Sequence, residues 1–321
     1  MPNLVMGHLL LDHIGRTPLV PLRRLACGLP VPVLAKCEHM NPTGSVKDRI
    51  AWSMVQQAES QGRLHPGDTL VEATAGNTGL GLCMVAAARG YQVVCVMPEK
   101  MSPDKRAALQ IAGAEVVITP NAAPDHADNF QNVARRLAEQ NGWYLTDQFN
   151  NPANVQAHVD GTGPEILEQC GGRVGAFVAG SGTGGTITGA GGFLKRHCPD
   201  LEVVLADPAG SSLWRHVQGA VGEPDAAYQV EGIGSSRPPS ILDCGLIDRV
   251  ETVSDTDSFA MTRRLIREEG LLVGGSAGTA VAAALRVAAR RTGPHPVVVI
   301  LPDSWDRYLS RDWLQQAEPQ T

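Results

Sequence analysis

The chain predicts an α/β fold of two lobes, each built on a mostly parallel sheet flanked by helices. Three observations carry this expectation. Short apolar, β-branched runs alternate with helical stretches, several of the runs end in a Pro or Gly turn, and the turns hold the conspicuous polar motifs. A chain of 321 residues, 43% hydrophobic, can bury a large core in one unit of two lobes.

The elements follow in order. Residues 33–38 read as a strand feeding the turn Asn41-Pro-Thr-Gly-Ser-Val-Lys-Asp-Arg49. From Asp48 a helix runs with Ile50, Ala51, Met54, Val55 and Ala58 on one face. A second strand ends near Val71, and a helix begins at Leu80. Residues 93–97, 115–119, 175–179, 201–206 and 297–301 read as buried parallel strands, and 104–112 and 257–269 as helices. The stretch 208–239, rich in Gly, Ser and Pro, reads as a long irregular connection of the kind that often carries function. Residues 40–150 are assigned to a smaller, mobile, substrate-binding lobe, and 1–39 with 151–321 to a larger one.

Composition excludes several classes. A net charge of −6 without a basic block argues against nucleic acid, and no apolar run is long enough to span a bilayer. The first twelve residues lack the basic start and apolar centre of a signal peptide, so a cytoplasmic location is the default. Seven scattered cysteines with no CxxC pair fit reduced thiols, Cys83 and Cys95 sit in core-like runs, and no metal is expected.

In open α/β sheets ligands bind beyond the carboxyl ends of strands, and four turns there carry chemistry. In the first, Lys47 opens a helix, where the macrodipole disfavours an ammonium ion and so favours an amine able to attack a carbonyl; a surface lysine before a surface Asp-Arg pair is the plainer alternative from this segment alone. In the second, Glu72-Ala-Thr-Ala-Gly-Asn-Thr-Gly79, hydroxyls and an amide cluster where N–H groups at a helix start can bind a carboxylate. An ordinary Thr/Asn cap is the alternative. In the third, Gly180-Ser-Gly-Thr-Gly-Gly-Thr-Ile-Thr188, paired glycines and threonine hydroxyls suit a phosphate, with a spacing unlike the P-loop or the dinucleotide fingerprint. In the fourth, Gly270-Leu-Leu-Val-Gly-Gly-Ser-Ala-Gly278, Ser276 is the strong polar group, either facing a buried partner or capping the helix. A reactive lysine with a phosphate cradle points to pyridoxal 5′-phosphate (PLP), and a serine at the pyridine nitrogen would leave the ring neutral, favouring β-elimination over transamination.

The order lysine, Asn turn, phosphate loop, Ser turn resembles the fold-type II PLP enzymes (tryptophan synthase β-like), specifically the cysteine synthase and cystathionine β-synthase family. The likeness runs from Ile14-Gly-Arg-Thr-Pro18 onward and rests on Gly44-Ser-Val-Lys-Asp-Arg49, Gly76-Asn-Thr-Gly79, Asp147-Gln148, the loop 182–186, Glu231-Gly-Ile-Gly234 and Leu301-Pro-Asp-Ser304. It implies that Lys47 forms the internal aldimine and shuttles the α-proton. It implies that Asn77 meets the ring hydroxyl, that Gly182, Thr183, Gly184, Gly185 and Thr186 hold the phosphate, and that Ser276 meets the pyridine nitrogen. Thr74, Ala75, Asn77, Thr78 and Gln148 would bind the substrate carboxylate, and Gly232 would face the substrate amine.

The implied activity is β-replacement on L-serine, O-acetylserine or O-phosphoserine by a thiol, through an α-aminoacrylate. Met97-Pro-Glu-Lys-Met-Ser102, residues 269–278 and Ser310-Arg-Asp-Trp-Leu314 lean toward the cystathionine β-synthase branch, with homocysteine as acceptor. A cysteine synthase using sulfide, a relative with another nucleophile, and a catalytically silent binding protein are the alternatives. Ala75 departs from the serine usual there, removing a possible donor to the substrate. His158 is expected to be structural. The resemblance further implies a homodimer; with no haem-binding extension at the start and no tail long enough for regulatory domains in this sequence, haem and adenosyl-ligand control are not expected.

Overall fold

The computed structural model describes residues 10–220 and 226–315. Its strands, in chain order, are β1 (Leu19–Pro21), β2 (Val33–Cys37), β3 (Thr69–Ala73), β4 (Gln92–Pro98), β5 (Glu115–Thr119), β6 (Tyr144–Leu145), β7 (Ala176–Ala179), β8 (Glu202–Pro208), β9 (Arg249–Val253) and β10 (Val297–Leu301). Contacts divide the chain into two compact units. One is the described part of Met1–Arg16 with Asn41–Gln148, the other Thr17–Met40 with the described part of Phe149–Thr321.

The first unit holds a parallel sheet in the order β5-β4-β3-β6. Its helices are α1 (Lys47–Ser60), α2 (Asn77–Arg89), α3 (Pro103–Ile111) and α4 (Phe130–Asn141). Alternation along β3 and β4 splits the core in two. Leu70, Cys95 and Met97 pack on one face with Ala51 and Val55 of α1 and Leu82 of α2. Val71, Ala73, Val94 and Val96 pack on the other with Val133, Ala134 and Ala138 of α4. Local chemistry sets the helix starts: Ser102 Oγ accepts the Lys105 N–H ahead of Pro103, and Asn129 Oδ1 accepts the Gln131 N–H. Leu11, in the 3₁₀ turn Leu10–His13, joins the first-face cluster. Residues 10–16 therefore group with the smaller unit, whereas the sequence pattern assigns all of 1–39 to the larger.

The second unit holds the sheet β1-β2-β10-β7-β8-β9, antiparallel only at the edge pair β1/β2. Its helices are α5 (Pro152–Ala157), α6 (Gly163–Gln169), α7 (Gly185–His197), α8 (Leu213–Gln218), α9 (Asp255–Arg264), α10 (Gly275–Arg290) and the one-turn α11 (Asp312–Gln315). The alanine-rich α10 is covered on one sheet face; its Gly278 lies where a Cβ would overlap the Ser258 carbonyl of α9, so small residues let the two helices close up.

Most expected elements are present within one or two residues. The run 33–38 ends as a strand at Cys37, because Glu38 enters a 3₁₀ turn and accepts the Thr17 hydroxyl at 2.6 Å. The helix read at 257–269 starts at Asp255, capped by Ser254, and turns π-helical over Leu265–Glu269. Within 208–239 the short α8 forms, while residues 221–225 of that run lie outside the described residues. β1, β6 and β9 leave no clear sequence signal because they are short or alternate with polar residues at the sheet edges.

Candidate active site

Lys47 is the first residue of α1 and is half-buried. The turn before it is held by Asp48, whose Oδ2 accepts the Thr43 N–H at 2.7 Å and whose Oδ1 accepts the Thr43 hydroxyl. Ser45 Oγ accepts the Lys47 N–H at 3.2 Å. Asp48 and Arg49 are buried, so the alternative of a surface pair falls away. Gly81 of α2 lies where a Cβ would press on the Lys47 carbonyl, so helix packing ties the lysine turn to the Asn turn.

In the Asn turn, α2 begins at Asn77 rather than at the expected Leu80, because Gly76 at φ +136° supplies a cap conformation that a side chain would strain. No side chain caps this helix, so the polar residues are not used up as caps. Thr74 Oγ1 accepts the Gly76 N–H at 3.0 Å. The Thr78 hydroxyl donates to Gln148 Oε1 at 2.6 Å, and Gln148 Nε2 donates to the Ala73 carbonyl at 2.8 Å. Thr74, Thr78 and Gln148 are buried and Ala75 is exposed. The first unit thus gathers Lys47, Thr74, Ala75, Asn77, Thr78 and Gln148. The fully buried Glu72 beneath this turn carries no sequence signal of its role; burial pushes its carboxyl up to about 8.

The second unit carries the glycine-rich loop, Gly232 and Ser276. A Cβ at Gly182 would overlap the Gly232 carbonyl, and one at Gly185 would overlap Asn154 Oδ1. The loop is therefore a cradle that side chains would fill, leaving backbone N–H groups at the start of the 13-residue α7. Thr183 accepts a hydrogen bond from Asn154 Nδ2 at 3.0 Å, and Ser181 Oγ is buried without a hydrogen-bond partner among the described residues. These features fit a phosphate. Ser276 is buried in the first turn of α10, where Gly274 is the cap, so the capping alternative fails. Tyr308 donates to Asp303 Oδ2 at 2.7 Å, and the Asp303 carbonyl accepts the Gly274 N–H at 3.0 Å, bracing the turn before Ser276.

His158 is structural, as expected, but with a role beside the cradle. It opens a π-helical turn, His158–Thr162, between α5 and α6. Its Nδ1 pairs with Thr162 Oγ1 at 2.9 Å and its Nε2 with Thr186 Oγ1 at 3.2 Å. Asn154 and His158 together orient Thr183 and Thr186. Neither role was legible in the sequence, since Asn154 on α5 and His158 at the start of the π-turn reach threonines 28 or 29 residues away.

The comparisons with known proteins meet this geometry. A family model described as pyridoxal-phosphate dependent enzyme matches residues 10–303. The chain belongs to that family. It is a fold-type II PLP enzyme, and its cofactor is PLP. It is 46% identical to the cystathionine beta-synthase of Rattus norvegicus over 94% of this chain and 54% of that protein. It is 43% identical to that of Dictyostelium discoideum over 97% of this chain and 63% of the relative. The chain thus spans about half to two thirds of the length of these relatives. Among solved structures, O-ureido-L-serine synthase superimposes with a TM-score of 0.89 at 38% identity, covering 98% of each chain. A mutant of that enzyme with O-ureido-L-serine bound gives 0.89 at 37% identity, covering 98% of this chain and 96% of that one. No helix among the described residues is long and apolar enough to cross a membrane.

Proposed function

We propose that the protein catalyses β-replacement on L-serine or an activated serine, with homocysteine as the acceptor, in the manner of a cystathionine β-synthase. The observation that carries the choice of acceptor is the 46% identity to a cystathionine beta-synthase over 94% of the chain. When bound, PLP supplies the electron sink that makes the α-proton labile and lets the β-substituent leave.

The protein's own residues would do the rest. Lys47 Nζ would hold the cofactor through its carbonyl carbon, and would then take the α-proton and return it to the product. Backbone N–H groups of Gly182, Thr183, Gly184, Gly185 and Thr186, with the two threonine hydroxyls, hold the phosphate against the α7 macrodipole. Asn77 donates to the ring oxygen. Ser276 meets the pyridine nitrogen with a hydroxyl too weakly acidic to keep it protonated, which limits charge spread into the ring. Thr74, Ala75, Asn77, Thr78 and Gln148 bind the amino-acid carboxylate, and Gly232 leaves room for the amine. Closure of the smaller lobe on carboxylate binding would exclude water. The protein would work as a cytoplasmic homodimer.

A second reading, a nucleophile other than sulfur, is favoured by the likeness to O-ureido-L-serine synthase across 98% of both chains. A screen of serine, O-acetylserine and O-phosphoserine against homocysteine, sulfide and hydroxyurea, with products identified by mass, separates the two. Cystathionine is the expected product. Its absence with every donor would overturn the homocysteine assignment, and Lys47→Ala should abolish turnover and the visible band of the bound cofactor.

A further inference from the structure

Glu72 is a buried acid that the proposed mechanism leaves unused. Its Oε2 accepts the Gln148 amide N–H at 3.1 Å and meets the Thr146 hydroxyl, while Oε1 is buried without a hydrogen-bond partner among the described residues. Thr146 Oγ1 also lies 3.1 Å from the Val71 carbonyl, which can only accept. One hydroxyl proton cannot serve both oxygens. A proton on Oε2 lets Glu72 donate to Thr146 and Thr146 donate to Val71, whose carbonyl also accepts the Thr146 N–H at 3.0 Å, while Oε1 stays without a partner among the described residues. An ionised Glu72 would instead place a carboxylate in the core with one oxygen unpartnered among the described residues, which is costly.

The chain of bonds continues to the Asn turn. Gln148 grips the Ala73 carbonyl with Nε2 at 2.8 Å and accepts the Thr78 hydroxyl at 2.6 Å. Asp147 between them sits at φ +49°, an uncommon conformation that needs a surrounding lock. We propose that Glu72 is the positioning residue of the carboxylate loop: in its protonated form it locks the turn 146–148 and, through Gln148, sets the direction of the Thr78 hydroxyl. This rests on reading the Asn turn as the carboxylate site.

Deprotonation releases the lock, so substrate affinity falls on the alkaline side. Cys95 stands opposite Glu72 in the β3/β4 ladder, and Asp147 raises the acid further by like charge. Among the helices on that face, α1 opens with Lys47, Asp48 and Arg49, α2 carries Cys83, and α3 carries Lys105; α4 covers the opposite face, against Val71 and Ala73.

The test is calorimetric binding of L-serine to the PLP-loaded enzyme on either side of pH 8, with amide hydrogen exchange at 146–148. Glu72→Ala should weaken binding on the order of tenfold and speed exchange there. Glu72→Gln cannot ionise, so whatever its affinity below pH 8 it should lose the alkaline decline. Taking the ratio of its dissociation constant to that of wild type cancels titration of the ligand. The proposal is overturned if Glu72→Gln declines with pH as wild type does. It is also overturned if Glu72→Ala binds normally while Gln148→Ala and Thr78→Ala bind weakly. Normal binding by both of those reference variants would instead remove the carboxylate reading, and this role with it. Should Glu72→Ala not fold, the pH profile of Glu72→Gln decides alone.

Discussion

At Gly185 the missing side chain is itself the functional feature. The position opens α7 in the loop that the proposed mechanism uses for the phosphate, and a Cβ there would overlap Asn154 Oδ1. Gly185→Ala should therefore displace Asn154, loosen its bond to Thr183, and cost about 1–3 kcal/mol by overpacking. Faster loss of PLP on dialysis and a lowered thermal midpoint are the checks.

Asp207, at the end of β8, is a second residue whose environment is measurable. Burial pushes its carboxyl up to about 6 from 3.8, although Oδ2 accepts the Trp214 N–H at 3.1 Å. A carboxyl raised in the folded state keeps its proton where the unfolded chain has lost it, so its contribution to stability declines as pH rises from about 4 to about 6. Asp207→Asn lacks that slope. Denaturation across this window should show the variant gaining on wild type as pH rises, with a constant difference above it.

At the scale of elements, helix starts decide what the turns can present. α4 is capped by Asn129, whose Oδ1 accepts the Gln131 N–H and whose Nδ2 donates to the Ala122 carbonyl, both at 3.0 Å. Asn129→Ala should cost about 1 kcal/mol, read as a lower urea midpoint, because α4 covers one face of the first unit's sheet. α2, α7 and α10 start differently, on glycine and without a side-chain cap. Their first-turn N–H groups and hydroxyls are thereby left for a ligand. These three helices open at the Asn turn, the phosphate loop and the Ser turn.

For the molecule as a whole, two sheets, one parallel and one parallel except at its β1/β2 edge, place these turns at strand ends, in separate compact units of the chain. The runs forming β4, β5, β7, β8 and β10 were legible because strands covered on both faces are continuously apolar. The short or polar edge strands were not, for want of any such run. The order of reactive turns along the chain was equally legible, since glycines, threonines and a helix-opening lysine leave local marks. What surrounds them was not. The hydrogen bonds of Glu72 reach partners 74 and 76 residues away, and Lys36 crosses 129 residues to Glu165.

The sequence by itself determined the α/β class, the family and the PLP cofactor, because these rest on local periodicity and on motifs read in order. Only the tertiary structure decided that Gly76 and Gly274 rather than polar side chains cap their helices, that His158 and Asn154 orient the loop threonines, and that Glu72 is fully buried beneath the Asn turn. Those outcomes depend on burial and on contacts distant in sequence, which no local pattern encodes.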